Sequence, residues 1–195
     1  AEAKKRDEEN ARKTREEEQK KKAADEVSGA ENLQRQIGGA CRKKDFRPLL
    51  DAARQAEKQA STDDGRAAAR SLKDSLERLD SLRRLLIDNV QKTPFRGPAA
   101  RREFNGDIVA ATGAGLTILL GGGVGTSERP WEQVNPRQFI DLCAHYASNA
   151  PMDDAARGNL MAGIALFAYH HPHTRPLSGE YAARARQLNP DLESR

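Results

Sequence analysis

Residues 106–125 read GDIVAATGAGLTILLGGGVG, from Gly106 to Gly125, and the way this stretch folds decides the architecture of the chain. It lies within the longest segment without Lys or Arg, and its single charge, Asp107, lies at its edge. A hydrophobic interior is therefore expected to form around it. Ile108, Val109, Thr112, Leu116, Leu119 and Leu120 share one face at helical spacing, so the stretch reads as a buried helix. Asn105 is placed to cap it, and Gly121-Gly122-Gly123 to end it.

The eighteen positions 108–125 carry no charge, which also raises a membrane-inserting segment. Six of them are glycine and only seven are Leu, Ile or Val, and glycine adds little transfer energy. A buried helix of a soluble core is the simpler expectation. Gly121 to Ser127 has the glycines of a phosphate loop but no Lys before its hydroxyl residues, and Pro130 follows closely. Gly113-Ala114-Gly115 lacks the third glycine of a dinucleotide fingerprint. Neither pattern predicts a nucleotide site.

Upstream, a helix over about 64–91 carries Leu72, Leu76, Leu79, Leu86 and Val90 at heptad spacing, with Arg83 in one core slot. The seam Leu72, Leu76, Leu79, Arg83 and Leu86 is the predicted partner-binding surface, for another protein or for self-association. Before it, Asp45 and Pro48 signal a helix start, and Leu49, Leu50, Ala53, Ala56 and Ala60 keep a helical period. The run Ser61-Thr62-Asp63-Asp64-Gly65 is a turn in which Thr62 or Asp63 can cap the next helix. Residues 46–91 read as an antiparallel helical hairpin.

The connector 92–102, KTPFRGPAARR, holds the anion-binding candidates Lys92, Arg96, Arg101 and Arg102. With Arg78, Arg83 and Arg84 nearby, the region 66–102 can meet nucleic acid or an anionic membrane surface. Aromatic residues other than Phe95 are missing there, so base stacking has little support in the sequence.

Residues 1–26 carry nine basic and nine acidic side chains and no large apolar residue. Glu9–Lys13, Glu16–Lys20 and Glu17–Lys21 fall at the favourable four-residue spacing, so a solvated helix or a disordered tail is expected. Ser28 and Gly29 should interrupt it, and a short helix with Leu33 and Ile37 should end at Gly38 and Gly39. Toward the C-terminus, helices are expected from Asn135-Pro136, from Pro151 with Asp153 and Asp154, and from Ser178 to Asn189-Pro190. Their buried faces are Phe139, Leu142, Cys143 and Tyr146, then Leu160, Met161, Ile164 and Phe167.

The fold class predicted is all-α: a charged arm over 1–29, a helical hairpin or coiled-coil-like region over 30–95, and a helical domain over 96–195. His145, His170, His171, His173 and Cys143 have the atom types of a zinc site but poor spacing, and no metal or cofactor is predicted. Cys41 and Cys143 set no disulfide framework, which favours the cytoplasm or another reducing compartment. The first residue is Ala1, the mark of a fragment or processed form, and delivery to a host cell or the membrane periphery is an alternative localisation. The function expected is a non-enzymatic protein–protein interaction or scaffold module. A membrane-acting protein of effector or translocator type using 106–125 is the alternative, and nucleic-acid binding through 66–102 the third.

Overall fold

The computed structural model describes residues 2–121 and 125–194, the side chains of 2–5, 7, 8, 193 and 194 excepted, and about 73% of the chain is helical. In chain order the elements are α1 (Glu2–Gln34), α2 (Ile37–Lys43), α3 (Arg47–Gln59), α4 (Asp63–Val90), α5 (Pro98–Phe104), β1 (Gly106–Ala111), β2 (Gly115–Leu120), β3 (Thr126–Pro130), α6 (Pro136–Asn149), α7 (Asp154–Tyr169) and α8 (Arg175–Leu188). Short 3-10 turns occupy Trp131–Gln133 and Pro190–Ser194.

The expected all-α class and the buried Gly-rich helix are corrected by β1, β2 and β3. These form an antiparallel sheet in the order β1-β2-β3. In β2, Leu116 and Ile118 are buried while Thr117 and Leu119 are half-exposed, the alternation of a strand. In β1 a bulge hides that alternation. Ile108 pairs with Ile118 and Ala110 with Thr117, which leaves Val109 as an extra residue. Ile108 and Ala111 are therefore both buried although three positions apart, a spacing that a helix would also place on one face. β-branched residues and glycines also lower helix propensity throughout the stretch. The glycine run and the phosphate-loop pattern at 121–127 fall partly on 122–124, outside the described residues.

Two compact units are present: Ala1–Gln36 with Pro48–Asp74, and Ile37–Arg47 with Ser75–Arg195. In the first, α1 continues through Ser28 and Gly29, with Ala30 buried near its C-terminal end. The predicted interruption does not occur, because Gly costs a helix only about 1 kcal/mol and Ala30 gains packing. Gly38 and Gly39 lie inside α2 and do not terminate a helix. α3 buries Leu49, Leu50 and Ala53, as its period predicts, and Glu57 on it meets Arg70 at 3.2 Å and Lys73 at 2.8 Å on α4.

The second unit is built on Leu76, Leu79, Leu82 and Leu86 of α4, all fully buried. Arg83 lies in the same stretch. Its Nη1 donates to the Lys44 carbonyl and to Asp45 Oδ1, both at 3.1 Å, and its Nη2 donates to the Gly113 carbonyl in the β1–β2 turn. The guanidinium lies 5.9 Å from the centre of the Trp131 ring, whose Nε1 donates to the Thr112 carbonyl at 2.9 Å. One arginine thus fastens a β-turn and the α2–α3 loop to α4.

The C-terminal helices start where local chemistry places two of them. Asn135 and Gln138 form a capping box on α6, and Asp153 accepts from the Ala156 N–H at 2.6 Å on α7. α8 begins after Thr174, not at Ser178, because Pro176 fits its first turn and the Thr174 hydroxyl is occupied by the Ala168 carbonyl. The predicted apolar faces of α6 and α7 are buried.

Candidate functional site

The seam predicted to bind a partner is filled by the chain itself. Leu72, Leu76, Leu79 and Leu86 are buried, and Arg83 is engaged by the Lys44 carbonyl, Asp45 and Gly113. These residues supply packing energy, about 1.5–3 kcal/mol for each buried leucine side chain.

The basic connector has the opposite placement, with Lys92, Arg96, Arg101 and Arg102 all exposed. Arg101 pairs with Asp107 at 3.7 Å and Arg102 with Glu103 at 2.9 Å. Among the described residues no acidic partner is seen for Lys92 or Arg96. The backbone beneath them is pinned at several points. Tyr146 Oη donates to the Thr93 carbonyl at 2.6 Å, and Phe95 exchanges backbone bonds of 3.0 and 2.9 Å with Ile108. The Gly97 N–H donates to Asp107 Oδ1 at 3.3 Å. Phe95 faces inward against Phe104 and His145, so the adjacent Arg96 is turned to solvent.

A third grouping has no signal in the sequence. α2 and the α7–α8 turn bring together Cys41, Lys44 and His171, each buried. Burial pushes the Cys41 thiol up to about 12 and Lys44 down to about 8. Burial also lowers His171, opposed by a hydrogen bond to the Cys41 backbone and reinforced by Lys44, Arg42 and His170. Among the described residues its Nε2 has no hydrogen-bond partner, and the Lys44 ammonium reaches only the Arg42 carbonyl, at 3.4 Å. Cys143, also buried, is raised by the same cause. Both cysteines are thus held as thiols, the unreactive form. His170, at the C-terminal end of α7, is likewise lowered by burial, and then by the charge of Arg175.

The fourth feature is α1. From Glu9 to Lys22 each of its side chains is exposed. Glu9 pairs with Lys13 at 2.8 Å and Arg12 with Glu16 at 3.5 Å. Near its C-terminal end Glu26 binds the start of α4. Its Oε1 accepts from the Ser61 N–H at 3.0 Å and the Ser61 hydroxyl at 2.8 Å. Its Oε2 accepts from the Thr62 N–H at 3.1 Å and the Thr62 hydroxyl at 2.5 Å. The Thr62 hydroxyl in turn accepts from the Gly65 N–H at 3.1 Å, which is the cap predicted for this helix.

Among the described residues no group of His, Cys, Asp and Glu is arranged to hold a metal ion, and no helix is long and apolar enough to cross a membrane. Comparison with protein-family models, with curated proteins and with solved structures finds no match to this chain.

Proposed function

We propose that this chain is a non-enzymatic helical interaction module whose partner-contacting element is α1. The observation that carries the reading is the exposure of α1 on every side from Glu9 to Lys22. Such a helix repays its ordering with surface ion pairs worth about 0.2–0.5 kcal/mol each and with no buried face. Its alternating charges suit a charge-guided contact with another protein or a second copy. The Glu26 clasp fixes the base of the arm to the α3–α4 turn. Burial of the leucine seam leaves α1 as the exposed helix on which this reading rests, and the protonated, buried thiols favour binding over covalent catalysis. The membrane alternative has less support, because Ile108, Leu116 and Ile118 are committed to the sheet's buried face.

The test is light scattering behind size exclusion on the full chain at about 50 mM and about 0.5 M salt, where screening differs several-fold. It is paired with photo-crosslinking from position 13. Charge-dependent association, lost when Glu16, Glu17 and Glu18 are changed to Lys, supports the reading. A chain that stays monomeric at both salt concentrations and yields no defined, charge-dependent crosslinked protein refutes it.

A further inference from the structure

We infer that the connector 92–102 is a binding surface for single-stranded nucleic acid, with Lys92 and Arg96 contacting phosphates and His145 offering a base a stacking surface. This surface uses no residue of α1, and the inference does not depend on the interaction reading.

Three observations lead to it. First, Lys92 and Arg96 are exposed, and their charges are not spent on carboxylates of the described residues. Second, the backbone carrying them is held by Tyr146, Ile108 and Asp107 at Thr93, Phe95 and Gly97, so the loop needs little ordering before its cations meet a strand. Preorganisation of this kind removes much of the ordering cost of binding. Arg101 and Arg102, exposed in the following helix, add charge when a phosphate competes with Asp107 and Glu103.

Third, an exposed aromatic group that the sequence alone placed fifty residues away packs against Phe95, the chain neighbour of Arg96. His145 of α6 is exposed, and its ring centre lies 4.9 Å from that of Phe95 and 5.1 Å from that of Tyr146. Those two rings fix its orientation. Burial of its inner part lowers its pKa, which favours the uncharged ring, a π surface for a base. Bases splayed from a single strand stack on such rings, whereas a duplex hides them. α5, seven residues long, is too short to read a major groove. A lipid surface would ask for an exposed apolar wedge near the cations. Of the large apolar side chains exposed among the described residues, Tyr169 belongs to α7, and Leu120, opposite Gly106 in the sheet, is a single residue and forms no wedge.

The experiment is fluorescence anisotropy of the full chain with a labelled twelve-nucleotide oligouridylate. It is repeated with an abasic oligomer of the same length and with phosphatidylserine vesicles. Binding to oligouridylate is expected at about 50 mM salt, weakening with a log–log slope of about −1.4 to −2.8 for two to four phosphate contacts. Lys92→Glu with Arg96→Glu should abolish it, while far-UV circular dichroism stays unchanged. His145→Ala should weaken oligouridylate binding at least about five-fold and leave abasic binding unchanged. The inference is overturned by absence of oligouridylate binding at that salt, by binding that survives the double charge reversal, or by equal loss on both oligomers in His145→Ala. Vesicle binding that exceeds oligouridylate binding also overturns it and assigns the surface to lipid.

Discussion

The Glu26 carboxylate takes the Thr62 backbone N–H at 3.1 Å, so a side chain of α1 caps the start of α4 from a position 36 residues away in sequence. Gly65 is part of this arrangement: a Cβ there would lie 2.7 Å from Glu26 Cβ and 2.9 Å from Thr62 Oγ1, well inside contact distance. The clasp holds the arm whose exposed length carries the proposed interaction.

Acid should open the clasp. The Thr62 hydroxyl, then the Ser61 N–H, hold the Glu26 pKa down to about 2 from an ordinary 4.5. A lowered carboxyl pKa means that the stabilisation is complete above pH 4.5 and is lost as pH falls from there toward about 2. Amide exchange at Ser61 and Thr62 should therefore accelerate at about pH 3 relative to about pH 6 beyond the intrinsic pH effect. In Glu26→Gln that excess should vanish, and an unchanged acid response in this variant would remove the assignment.

Gly115→Ala separates the sheet from the helical reading of the same stretch. A Cβ at Gly115 would lie 2.8 Å from the Arg129 carbonyl carbon and 2.9 Å from Pro130 Cα, across the β2–β3 pair. Destabilisation of about 1–3 kcal/mol is expected from such overpacking. In a helix the same change would stabilise by about 0.5–1 kcal/mol. Urea denaturation gives the sign directly.

Arg83→Leu would complete the leucine seam and still destabilise the protein. It strands the Lys44 and Gly113 carbonyls and Asp45, each at a cost of up to about 1–3 kcal/mol when buried and about nothing when water replaces the arginine. Asp45 and Gly113 are open to water and the Lys44 carbonyl is the buried partner, so a net loss of about 1–3 kcal/mol in urea denaturation is expected. Equal or greater stability would show that the seam prefers an apolar residue at this position.

Lys44→Met should raise the thermal midpoint at about pH 7. The buried ammonium has one long carbonyl contact, and burial lowers its pKa from 10.5 to about 8. For a cation with a lowered pKa the folded state disfavours the charge. The penalty is therefore complete below about pH 8 and fades as pH rises toward 10.5. The advantage of the variant should be largest at about pH 7 and shrink by about pH 10, measured by thermal denaturation at both. A constant difference would point to a shape effect at Lys44, whose φ of 51° already lies in the left-handed region.

The candidate surfaces are partly legible in the residues themselves. Four basic residues within 92–102 announce an exposed cationic loop, because unpaired charges are rarely buried. That Tyr146 and Ile108 pin the loop, and that His145 stands against Phe95, follows from contacts with no local signature. The balanced charge of 1–26, with no apolar stripe, predicts a solvated arm. It gives no sign of Glu26 reaching Thr62.

The sequence by itself determined the elements whose chemistry closes within a few residues. The caps at Asn135 and Asp153 bond to N–H groups two or three residues away, and the 3.6-residue period of α4, α6 and α7 marks their buried faces. Tertiary structure decided the identity of 106–120. A helix satisfies its backbone internally, so its pattern can be read locally. A strand satisfies its backbone on another segment, and here a bulge at Val109 broke the alternation of β1, leaving only the short run of β2 to show it. The roles of Arg83, Glu26 and His171 were decided in the same way, because their partners lie far along the chain and only the closed fold brings the backbone groups they bind within reach.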